Sequence, residues 1–168
     1  MNRDYFRQLL QKYRRRGVLL DTNILLAYFV GAYNPALLEQ FKRTKDRFVQ
    51  DDFETLQRVI RFFEKVVTTP NILTEVNSLS GQLPGGRNVE YWQRFARSVT
   101  VLDEHYLRSA EVVAQPTFAD FGLTDMGILC LARAPYPVFT DDFRLANYLG
   151  TQGIDVLNFN HIRVLGWK

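Results

Sequence analysis

Four acidic residues recur in similar settings along the chain: Asp21, Glu75, Asp125 and Asp142. Asp21 directly follows the apolar run Val18-Leu19-Leu20. Asp142, with Asp141 before it, follows Pro137-Val138-Phe139-Thr140. Glu75 comes one turn into a helix opened by Thr69-Pro70, just after Val66-Val67-Thr68. Asp125 belongs to Leu123-Thr124-Asp125, which opens the helix before the fourth apolar run. Carboxylates brought together repel, and each raises its neighbours' pKa unless a cation intervenes. Oxygen-only donors suit hard ions such as Mg²⁺ or Mn²⁺ rather than soft metals. An ion held this way activates water and stabilises the charge that develops on a phosphodiester.

Whether these acids meet depends on the elements that carry them. Short continuous apolar runs read as buried parallel strands. They are 18–20, 66–68, 99–102, 137–140 and 154–159, and they alternate with helical patterns. Helices are expected at 3–13, in the 20s after Asp21, from Asp51-Asp52, from Pro70 to near Gly81, and near 88–97. Others are expected at 103–114, from Leu123 to about Arg133, and from Asp142 to Leu149. Residues 116–122 read as irregular, and Leu83-Pro84-Gly85-Gly86 as a loop. The alternation predicts an α/β fold with a mainly parallel sheet. Such sheets bind ligands beyond the carboxyl ends of their strands. All four acids fall at that edge.

Each residue also has a plainer reading. Asp21, Asp125 and Asp142 occupy helix-start positions where Asp commonly caps, and Glu75 alone reads as a solvated helix residue. A capping Asp can still offer an oxygen to a cation, so the readings are compatible. Tyr28 and Phe29 read as helix core rather than as platforms for stacking bases.

Composition is that of a globular domain: 168 residues, 46% hydrophobic and 23% charged. One domain over 1–168 is expected, with a basic helix at 1–16, a core at 17–160 and a tail at 161–168. Net charge is +3, but residues 1–16 hold six basic residues against Asp4. The remainder carries 15 basic and 17 acidic residues, so the excess belongs to an arm. Phe6, Leu9, Leu10 and Tyr13 form one stripe, which favours a packed helix over a free nucleic-acid arm. Cys130 is the sole cysteine, which excludes an internal disulfide and a multi-cysteine zinc site. No apolar run is long enough to span a bilayer and no secretory leader is visible, so a cytoplasmic protein without membrane partners is expected.

The motifs resemble those of PIN domains. Leu19-Leu20-Asp21-Thr22-Asn23-Ile24-Leu25 is similar to that family's opening motif. Pro70-Asn71-Ile72-Leu73-Thr74-Glu75-Val76 is similar to the second. Leu123-Thr124-Asp125-Met126-Gly127-Ile128-Leu129 and Phe139-Thr140-Asp141-Asp142 resemble the third and fourth. They occur in family order and cover about 18–159. The resemblance implies a three-layer α/β/α fold whose central five-stranded parallel sheet has the order 3-2-1-4-5. It implies a Mg²⁺- or Mn²⁺-dependent ribonuclease acting on single-stranded or structured RNA. Asp21, Glu75, Asp125 and Asp142 would be its catalytic and metal-binding acids, with Asp141 an added ligand or a cap. Thr22, Asn23 and Thr140 would orient carboxylates or water.

Toxins of bacterial toxin–antitoxin pairs belong to this family, so an antitoxin protein and a homodimer are among the partners it implies. The alternative is a PIN-fold module that binds RNA or protein without cleaving. Loss of activity usually shows as a missing acid, and none is missing. Two other phosphoryl-transfer designs fit poorly. Haloacid-dehalogenase-like enzymes need a second Asp where Asn23 stands, and the acidic pair and late Lys of receiver domains are not on the right strands. Residues 31–50, an added helix or substrate flap, lengthen the interval between Asp21 and Glu75. They carry Lys42, Arg43, Lys45 and Arg47 as candidate RNA-backbone contacts.

Overall fold

The computed structural model describes residues 3–85, 88–133 and 136–166. Five strands, β1 (Val18–Leu20), β2 (Val66–Thr68), β3 (Asp103–Glu104), β4 (Val138–Thr140) and β5 (Val156–Asn158), form one all-parallel sheet. Its order is β3-β2-β1-β4-β5, with helices on both faces. Val18 pairs with Val66, Leu20 with Phe139, and Thr140 with Asn158. Central β1 and β4 are buried along their whole length, as expected of strands covered on both faces.

Helix α1 (Arg3–Tyr13) buries Phe6, Leu9, Leu10 and Tyr13, so its apolar stripe is packed. Its first residues and last turn are tied down at Asp155, which accepts from Lys12 Nζ and Tyr13 Oη at 2.7 Å each and from Tyr5 Oη at 3.2 Å. Asp155 precedes β5, so that anchor lies at the edge of the sheet opposite the acids. Met1 and Asn2 lie outside the described residues, as does Gly86 of the expected loop.

Helix α2 (Thr22–Tyr33) follows β1 without a loop and is apolar on all sides, the pattern of a fully buried helix. It packs against α4 (Asp52–Phe62), α5 (Pro70–Ser80) and α6 (Val89–Val99). A side chain at Gly31 would collide with the Phe53 ring of α4, so glycine permits this close approach. Between α2 and α4, the short α3 (Leu37–Gln40) and a series of turns bury Leu38, Phe41, Thr44 and Phe48.

Several boundaries differ from the sequence reading. The run 99–102 is not a strand: α6 continues through Val99, and amide bonds from Thr100, Val101 and Leu102 back to Ala96, Ser98 and Val99 extend its last turn. Val101 is 79% exposed. The edge strand is instead the charged pair Asp103–Glu104, and charged, very short strands are the usual way to blunt a sheet edge. The helix expected over 103–114 shrinks to α7 (Ser109–Val113).

Helix α8 (Phe118–Ala132) starts earlier than expected but breaks at Gly122, whose φ of 75° suits glycine. The helix resumes at Leu123, where the sequence places its start. Helix α9 (Phe143–Thr151) follows Asp142. The expected tail is in fact α10 (Phe159–Val164), which begins where β5 was expected to finish. Phe159 and Ile162 are fully buried, so hydrophobic docking overrides the short length of that helix. Trp167 and Lys168 lie outside the described residues. Among those described, no helix is long and apolar enough to cross a membrane.

Candidate functional site

Asp21 ends β1 and stands at the N-cap position of α2, yet its side chain makes no capping hydrogen bond. Its Oδ2 instead accepts the Thr140 hydroxyl at 2.6 Å. The same hydroxyl accepts the Asp142 amide at 2.9 Å. Thr140 thus fastens the end of β1 to the turn after β4. Asp142 is a true cap, with Oδ1 accepting from the amides of Arg144 and Leu145 at 2.7 and 3.0 Å.

Thr69 caps α5 through Ile72 N at 3.3 Å, and Pro70 occupies its first turn. One turn on, exposed Glu75 receives the Thr22 hydroxyl on Oε2 at 3.0 Å. The second motif is thereby linked to the first. Asp125 is in the first turn after the Gly122 break, and Asn23 is half-buried in the first turn of α2.

These acids act on one another. Burial pushes Asp21 up to about 7; the Thr140 hydrogen bond offsets part of this, and the charges of Asp125 and Asp141 add to it. Asp125 is pushed up to about 6 by burial, then by Asp142 and Glu75, while Arg144 pulls it back. The acids of all four motifs are therefore electrostatic neighbours at the carboxyl edge.

Asp141 is nearly buried, and its Oδ2 pairs with Arg47 Nη1 at 2.8 Å. Its Oδ1 is buried without a hydrogen-bond partner among the described residues. The Asp141 carbonyl accepts Asn160 Nδ2 at 2.8 Å, tying α10 to the same turn. Of the four basic candidates in 31–50, only Arg47 makes a side-chain contact with the acids. Arg43 bonds Gln82 Oε1 at 2.9 and 3.1 Å, and Lys42 and Lys45 are exposed.

The donor set suits a hard divalent ion: it is carboxylate oxygen throughout, desolvated at Asp21, with one buried oxygen of Asp141 unpartnered. Among the described residues, no three His, Cys, Asp or Glu side chains stand close enough together to hold a metal ion as they are placed. The acids are electrostatic neighbours, and a bound cation would have to draw their oxygens together.

Two residues beside the acids escaped the sequence reading. Phe143 follows Asp142, is 52% exposed, and meets His161 edge to face with ring centroids 5.8 Å apart. Arg144 lies over the Phe121 ring at 4.8 Å. Their position directly after the fourth motif was the available signal. Tyr28 and Phe29 pack inward, with Tyr28 against Phe53 and Phe29 against Phe95. No family model, curated protein or solved structure matches the chain.

Proposed function

We propose that this chain is a divalent-metal-dependent endoribonuclease of PIN-domain type that cleaves single-stranded RNA. The observation that carries the reading is the gathering of Asp21, Glu75, Asp125 and Asp142 from four separate elements at one sheet edge, where Asp21 is held buried by Thr140. A buried carboxylate among like charges costs stability. Binding a cation offsets that cost, whereas helix capping alone does not require it.

A bound Mg²⁺ or Mn²⁺ would supply a water of lowered pKa and a positive charge for the phosphodiester. The acids named would hold it. Thr140 keeps the Asp21 carboxylate oriented, and Thr22 does the same for Glu75. Asp142 keeps one oxygen on the α9 amides and has the other for the site. Phe143, exposed beside them, offers a ring on which a base can stack.

Mn²⁺ titration followed by calorimetry, together with RNA cleavage, tests the reading in wild type and Glu75→Gln. The expected result is one binding event and metal-dependent cleavage, both weakened in the variant. The absence of a preformed cage favours the second reading, a non-catalytic RNA- or protein-binding module. Binding of RNA with neither Mn²⁺ binding nor cleavage would select it.

A further inference from the structure

The segment between α2 and α4 is built into the fold. Leu38, Phe41, Thr44 and Phe48 are at most 1% exposed. The Thr44 hydroxyl bonds the carbonyls of Leu38 and Phe41 at 2.9 and 3.2 Å. The Phe48 ring lies 5.4 Å from that of Phe159. Gln50 N donates to Glu39 Oε1 at 2.8 Å. Arg163 Nη2 donates to the Arg47 carbonyl at 2.6 Å and to Asp52 Oδ2 at 2.8 Å, and Asp52 Oδ2 also accepts Val49 N at 2.8 Å. Arg47 is therefore held from both its own segment and α10, which is not how a mobile flap is built.

The side chain of Arg47 is placed as firmly as its backbone. Nη1 is fixed on Asp141 Oδ2 at 2.8 Å, where the acid's side chain is only 5% exposed. The arginine side chain is 46% exposed, and among the described residues no other hydrogen bond engages its guanidinium. A guanidinium has five N–H donors in a rigid plane. With Nη1 on a buried carboxylate and the side chain nearly half exposed, the remaining N–H donors are without a hydrogen-bond partner among the described residues. The charges acting on Arg47 are those of Asp141, Asp142 and Asp21.

We propose that Arg47 contacts a phosphate of the RNA strand beside the carboxylates, with Asp141 as the positioning residue that orients its guanidinium. The inference rests on the nucleic-acid reading above and names the residue that lets a polyanion approach an edge of carboxylates. Without Arg47, a phosphate arriving beside Asp141 meets mainly carboxylate charge, while Arg144 acts on Asp125. A fork anchored by one arm needs little reorganisation to accept a phosphate with the other. Asp141 then serves the arginine first, and its unpartnered Oδ1 remains for the site.

The test is binding in EDTA, which separates it from turnover. Fluorescence anisotropy with a labelled, unstructured 12-nucleotide RNA is measured over a salt series. The proteins are wild type, Arg47→Ala, Arg47→Lys, Asp141→Asn and the control Lys65→Ala at the opposite sheet edge, with thermal melts confirming folding. Arg47→Ala is expected to weaken binding about tenfold and to make the log–log salt slope shallower by about 0.7, the loss of one phosphate contact on a single strand. Arg47→Lys should keep the slope but recover only part of the affinity. Asp141→Asn should weaken binding less than Arg47→Ala, and Lys65→Ala should match wild type.

In Mn²⁺, tens of millimolar guanidinium should restore part of the cleavage lost in Arg47→Ala. Unchanged affinity and slope in Arg47→Ala, with wild type still binding, overturn the inference and leave the nuclease reading intact. Faster cleavage by Arg47→Ala also overturns it, because Arg47 would then be a brake on the site. A wild type that neither binds nor cleaves RNA overturns both.

Discussion

The Thr140 hydroxyl donates to Asp21 Oδ2 at 2.6 Å and accepts the Asp142 amide at 2.9 Å. One side chain thus holds the acid of the first motif and sets the turn that presents the fourth. Thr140→Val keeps the shape and removes both bonds. A hydrogen bond to a charged group contributes about 1.5–3 kcal/mol. Urea unfolding at pH 8 should show a loss of about that size. At pH 5 the loss should be smaller, because Asp21 is largely protonated below about 7.

Asp21→Asn should stabilise the metal-free protein at pH 8. Displacement of the acid from 3.8 to about 7 corresponds to a penalty on its charged form of roughly 4 kcal/mol. Between those values the folded chain holds a proton that the unfolded chain has released. Stability therefore falls as pH rises through that window, and the full penalty stands above it. The amide removes the charge and can still accept from Thr140. Thermal melts at pH 8 in EDTA should show a rise of at least about 4 °C for the variant. Mn²⁺ should raise the wild-type midpoint and leave that of Asp21→Asn nearly unchanged.

Arg163→Ala should destabilise the protein by about 1–3 kcal/mol in denaturant unfolding. It leaves buried Asp52 with only the Val49 amide and removes the donor to the Arg47 carbonyl. Arg163→Lys should recover only part of this, since an ammonium cannot match the planar fork that lies over Phe159.

Phe143→Ala should leave stability within about 0.5 kcal/mol of wild type, as expected for an exposed side chain. It should weaken RNA binding by about 1–3 kcal/mol if a base stacks there. Anisotropy titration in EDTA measures the second effect and thermal melting the first.

The sequence carried the sheet and most of the acidic edge because both depend on local patterns. Short continuous apolar runs such as Val18-Leu19-Leu20 are the usual mark of buried parallel strands, and the residue after such a strand falls at one edge. The runs also misled where apolar character served packing of a helix end. Val99 closes α6, and the edge strand is Asp103–Glu104, whose charges hide it from an apolar criterion. Helix α10 has only six residues, and its stability comes from burial of Phe159 and Ile162 in a core that sequence spacing does not display. The singling out of Arg47 from Lys42, Arg43 and Lys45 was equally hidden. It depends on Arg163 and Asp141, residues about a hundred positions away.

Incubating wild type and Asp21→Asn with a panel of single-stranded RNAs in Mn²⁺, in Mg²⁺ and in EDTA decides whether the acidic edge is a metal-dependent nuclease. Wild type should cleave in either metal and not in EDTA, and Asp21→Asn should lose at least about a hundredfold of that activity even though it melts higher. Cleavage that persists in EDTA or in Asp21→Asn would contradict the nuclease reading, as would a wild type that cuts nothing and binds no Mn²⁺.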